Sequence, residues 1–69
     1  MIETIGIAAG EIWKFLDKQE QPITLSTLRK NLSLSSTLLI MGLGWLAREG
    51  KINIEMPENS YSYRISLKR

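Results

Sequence analysis

Leu43-Gly44-Trp45-Leu46-Ala47-Arg48-Glu49-Gly50-Lys51-Ile52 is the stretch in which the hydrophobic period of this chain changes. Upstream, Leu39, Leu43 and Leu46 recur at helical spacing, with Gly42 beside them, so they share one face of a helix. Downstream, Ile52, Ile54 and Met56 alternate with Asn53 and Glu55, the two-residue period of a strand. Gly50 stands between, where a glycine just past a helix end accepts left-handed backbone. The spacing predicts a helix over about 36–49, capped by Ser35 or Ser36, that runs directly into a strand.

Working outward, Ile5, Ala8, Ala9, Ile12 and Leu16 form the inward stripe of an earlier helix over about 4–18. Trp13 and Phe15 flank the stripe, and Thr4 is the expected cap. Gln19-Glu20-Gln21-Pro22 ends that helix, because the residue before a proline is pushed out of the helical region. A short helix over about 25–32 follows. Thr24 caps it, Leu25, Leu28 and Leu32 point inward, and Arg29 and Lys30 suit the negative end of its dipole. Leu34, in Ser33-Leu34-Ser35, plugs the core between the last two helices. Beyond the first strand, Pro57-Glu58-Asn59-Ser60 has turn composition. Tyr61, Tyr63, Ile65 and Leu67 then alternate with Ser62, Arg64 and Ser66. The expected fold is α+β: three helices followed by a two-stranded hairpin over about 51–67, one domain over residues 1–69.

Composition narrows the chemistry. The 69 residues include no cysteine and no histidine. Thiolate or imidazole metal sites, cysteine nucleophiles and serine–histidine pairs are therefore excluded. No carboxylate pair sits in an apolar context and no glycine-rich phosphate loop is present, so neither an enzyme, a cofactor nor a metal is expected. The longest apolar run, Leu38 to Ala47, is ten residues, half of the ~20 that span a bilayer. Met1-Ile2-Glu3-Thr4 has no basic leader character, and a cytoplasmic location without membrane contact is expected. The net charge of +2 leans mildly toward anionic partners.

Helix, short helix, turn, helix and hairpin is the winged helix-turn-helix order. Three stretches carry the resemblance: Ile23-Thr24-Leu25-Ser26-Thr27-Leu28, then Leu32-Ser33-Leu34-Ser35-Ser36, then Leu46 through Ile52. Ala8-Ala9-Gly10-Glu11-Ile12-Trp13 and Leu43 through Ile52 also resemble a family of very small bacterial winged-helix proteins of unknown function. The resemblance implies duplex DNA binding, with the third helix in the major groove and the wing on the backbone. Ser36, Thr37, Arg48, Lys51 and Arg64 are the residues expected to contact nucleic acid.

The outer face of the third helix departs from that pattern. Base edges offer donors and acceptors, yet this face carries Thr37, Met41, Gly44 and Arg48, with Leu38, Ile40 and Trp45 on its shoulders. Two readings stand side by side. Leu38, Met41, Gly44 and Trp45 are either covered by the first helix or wing, or form a partner or homodimer surface, since small monomers rarely expose large apolar patches. Gly44 favours the second, because a mid-helix glycine costs roughly 1 kcal/mol against alanine. Gly6 and Gly10 are expected at the frayed helix start and at a helix crossing. Tyr61 and Tyr63 are expected in the core rather than stacked on bases. Two functions follow: a DNA-binding module of transcription-regulator type, or a protein-interaction and dimerisation module built on the same scaffold.

Overall fold

The computed structural model describes residues 1–56, 58 and 63–68. Its elements are α1 (Ile2–Asp17), β1 (Ile23–Thr24), α2 (Leu25–Asn31), α3 (Ser36–Arg48), β2 (Ile52–Glu55) and β3 (Arg64–Leu67). Pro57, Asn59, Ser60, Tyr61 and Ser62, on which much of the expected turn and the start of the second hairpin strand fall, lie outside the described residues.

α1 starts two residues before its expected cap. Nothing in Ile2-Glu3 opposes a helix, so the Ile5 N–H reaches the Met1 carbonyl at 3.0 Å and the ladder begins there. Thr4 consequently sits inside the first turn. At the other end Gln19 donates its side-chain Nε2 to the Phe15 carbonyl at 3.2 Å, satisfying one of the carbonyls a helix end leaves open.

The other caps form as the residue types dictate. Thr24 has extended backbone, and its Oγ1 accepts the Thr27 N–H at 3.2 Å. Ser35 does the same for the Leu38 N–H at 3.1 Å, opening α3. At the end of α3, Gly50 adopts φ +71°. The Gly50 N–H then bonds the Ala47 carbonyl and the Lys51 N–H bonds the Leu46 carbonyl, at 3.0 and 2.9 Å, which is the paired closure of a Schellman end. Ser35→Ala is expected to cost about 0.5–2 kcal/mol and Ser35→Gly only a few tenths. Urea unfolding checks this; equal losses for the two variants would mean that the hydroxyl does not cap.

The helices and sheet enclose one core of Ala9, Ile12, Leu16, Leu28, Leu39, Leu43, Leu46, Ile52 and Ile65, with Phe15, Ile23, Leu25, Leu32, Leu34 and Leu67 packed around it. α1 and α3 make the closest approach. A Cβ built on Gly42 would stand 2.8 Å from Ile12 Cδ1 and 3.2 Å from the Ala9 backbone nitrogen. Gly42 is thus the glycine of the helix crossing. Gly10, expected in that role, is exposed and has nothing within 4 Å of its would-be Cβ.

The expected hairpin strands β2 and β3 pair, and β1 joins them, so among the described residues the sheet has three strands in the order β1-β3-β2, all antiparallel. β1 is too short to show a two-residue period. It exists because a helix cap and a strand share the same extended dihedrals, so Thr24 both caps α2 and pairs with Arg64. The Leu25 N–H, which α2 cannot satisfy internally, donates to the Tyr63 carbonyl at 3.2 Å. Across the sheet, Ile23, Ile65 and Ile54 form one row facing the helices, and Thr24, Arg64 and Glu55 form the neighbouring row. The apolar face of the hairpin is longer than the core it covers. Ile65 is buried, but Ile54 is 43% exposed and Tyr63 45%, so Tyr63 is not the core residue that alternation suggests.

Candidate nucleic-acid and partner surface

α3 presents its outer face through the burial of the opposite one. Leu39, Gly42, Leu43 and Leu46 turn into the core, and a 100° turn per residue then forces Thr37, Met41, Gly44 and Arg48 outward, where all four are exposed. Ser36 and Thr37 stand exposed in the first turn and Arg48 at the last, about 18 Å apart at 1.5 Å of rise per residue. Lys51 follows the Schellman end. Its backbone is held at both groups, with its carbonyl accepting the Lys68 N–H at 2.9 Å, while its side chain is exposed.

Arg64 belongs elsewhere. Its neighbour Ile65 faces the helices and is buried, so Arg64 points from the opposite face of the sheet, between Thr24 on one side and Glu55 on the other. The fold therefore sets Thr37 and Arg48 on one helix face, with Ser36 exposed in the first turn but about 100° round the helix from Thr37, and leaves Arg64 behind the sheet, with a carboxylate directly across the ladder. Two cations that sequence reasoning assigned only to a helix dipole join the first group. Arg29 and Lys30 lie exposed in the last turn of α2. The four-residue connection Leu32–Ser35 joins that turn to the start of α3. Their place immediately before the helix-helix turn was the available signal.

The four apolar candidates on α3 do not share a single patch. Gly44 opens onto a groove of about 340 Å³ between α3 and the sheet, walled by Ile40, Ile54 and Tyr63. Trp45 opens onto a second groove of similar volume between α3 and α1. Trp13, Gly6, Gly10, Lys14 and Lys51 line it with Trp45, and both tryptophans are 38% exposed. Met41 is exposed on the outer face between Gly44 and Trp45, while Leu38 is half-buried. The α3 outer face is thus a ridge ending in Arg48, with an apolar trough on either side.

A helix-turn-helix whose second helix exposes one face, closed by a small antiparallel sheet, is the arrangement described by the family model for a winged helix-turn-helix domain (DUF2582), which matches residues 1–65. The chain belongs to this DUF2582 family. No curated protein and no solved structure matches it. Winged-helix domains act as binding modules, so function in a DUF2582 chain has to be read from its surface. Among the described residues no three metal-ligating side chains come together, and no helix is long and apolar enough to cross a membrane.

Proposed function

We propose that this chain is a transcription-regulator-like module that holds duplex DNA mainly by its phosphates, in the cytoplasm, with no catalytic role. The observation that carries the reading is the helix-turn-helix corner. There Arg29 and Lys30 end α2, and Ser36 and Thr37 open an exposed α3 with its positive dipole end outward. Arg48 and Lys51 extend the cationic contact to the far end of α3, and Arg64, set against Glu55, contributes least. The troughs beside the ridge suit thymine methyl groups and little else, so sequence discrimination is weak.

An amide NMR titration with a mixed-sequence duplex at low salt tests this. Shifts are expected at Ser36, Thr37, Arg48 and Lys51. They should fade with salt such that log K falls by about 0.9 per phosphate for each tenfold rise. Lys30→Ala should lower that slope by about 1. An absence of shifts at low salt overturns the reading.

The groove walled by Ile40, Gly44, Ile54 and Tyr63 favours a second reading, an interaction module for an apolar protein segment, because a base-reading face needs hydrogen-bonding groups there. Its signature is lines already broadened over residues 38–45 without DNA, which sharpen in Ile40→Lys, a change at the groove wall.

A further inference from the structure

β2 lies at the outside of the sheet, so among the described residues no strand pairs with its outer edge. The phase of the ladder says which residues face that edge. The Lys51 carbonyl accepts a bond from Lys68, on the β3 side. The N–H and C=O of one strand residue point to the same side and alternate along the strand. The Lys51 carbonyl, Asn53 and Glu55 therefore bond toward β3, the Lys51 N–H being taken by the Leu46 carbonyl, and Ile52 and Ile54 turn both backbone groups outward.

We propose that this edge pairs with the same edge of a second copy, antiparallel about Asn53. In that register Ile52 stands opposite Ile54 of the second copy, Lys51 opposite Glu55, and Asn53 opposite its own counterpart on the two-fold axis. Three independent features agree. The Ile52–Ile54 pairs, whose free groups point outward, become the hydrogen-bonded pairs, and the axis falls on a non-hydrogen-bonded pair, as antiparallel geometry requires. Both Lys51–Glu55 pairs set an exposed cation opposite an exposed carboxylate. Ile54, half exposed within one chain, gains an isoleucine neighbour on its own face.

Neighbouring registers lack this agreement. Centring on Ile52 sets Glu55 against Glu49, and centring on Ile54 sets Lys51 against Pro57. The edge is only four residues long, but nothing within the strand blocks its outward groups. The two residues that offer their backbone are isoleucines, with no proline or inward charge between Ile52 and Glu55. The product is a six-stranded sheet with both helical layers on one side, and it does not depend on DNA binding.

Hydrogen exchange and sedimentation test the proposal together. Protection of the Ile52 and Ile54 amides is expected to rise with protein concentration in step with dimer formation. A sample mixing labelled and unlabelled chains should show an Hα–Hα contact between the two copies of Asn53. Lys51→Glu is the informative variant. Within one chain Lys51 stands across from Lys68, one step beyond the Ile52–Leu67 pair, so the change relieves a like-charge opposition and leaves the fold intact. Between copies it sets carboxylate against carboxylate twice, and the dimer dissociation constant should rise about tenfold. Adding Glu55→Lys should restore it. Ile54→Pro, which removes an outward N–H that β3 does not use, should leave a folded monomer. A wild-type monomer at all concentrations overturns the proposal. So does a dimer indifferent to Lys51→Glu, or one whose Ile52 and Ile54 amides exchange freely.

Discussion

Leu28→Ala is expected to remove about 2–5 kcal/mol of stability, about half of what a chain of this size has. At 0.05–0.15 kcal/mol per residue the whole fold is worth roughly 3–10 kcal/mol. The size of the effect follows from how α2 is attached. The helix has seven residues, too few to persist alone, and Leu28 is its one fully buried side chain. Leu25 and Leu32 only pack against the core from its margin. Truncation at position 28 leaves a cavity that the surrounding Ile12, Leu39 and Ile65, all fully buried, can fill only in part. Urea unfolding should show a lower midpoint with an unchanged slope. A loss under about 1 kcal/mol would mean that the α2 site collapses freely and that Leu28 is not its anchor.

The same dependence explains what the sequence does and does not reveal. Helix faces are legible because three leucines at helical spacing can share only one side. Leu39, Leu43 and Leu46 are buried as read, and Gly50 takes the left-handed backbone its position requires. Caps at Thr24 and Ser35 are legible because the residue type and its place before an apolar run carry the mechanism. β1 is not legible, since two residues have no period and their pairing with Ile65 and Arg64 is forty residues distant. Alternation shows that Tyr63 and Ile54 share a face with Ile65, but it cannot show where the core beneath them ends. The candidate surface suffers the same limit. Arg64 and Arg48 both read as exposed cations, and only strand parity against a buried Ile65 puts them on different sides of the molecule. Exposed Gly44 and buried Gly42 look alike in a string of letters, whereas their consequences when replaced have opposite signs.

That contrast gives the second large effect. Gly42→Leu is expected to cost at least about 3 kcal/mol, at the upper end for overpacking, while Gly44→Ala on the same helix should stabilise by about 0.5–1 kcal/mol through helix propensity alone. Gly44 has nothing within 4 Å of a would-be Cβ, whereas at Gly42 the first added carbon already meets Ile12 Cδ1 at 2.8 Å. Ile12 is fully buried and cannot swing aside into solvent. The 3.2 Å approach to the Ala9 nitrogen is to backbone, which yields only if α1 moves as a unit. Even Gly42→Ala should therefore lose stability, despite gaining the same propensity as Gly44→Ala. Ile12→Val deletes the clashing Cδ1 and costs about 0.5–1.5 kcal/mol alone. Combined with Gly42→Ala it should cost about 1 kcal/mol less than the two losses added, because the new methyl occupies space that Cδ1 has vacated. A double variant whose losses simply add would place the strain at the Ala9 backbone instead. A stabilising Gly42→Ala would mean that α1 and α3 can separate without loss, and the α1–α3 approach would no longer account for glycine at this position.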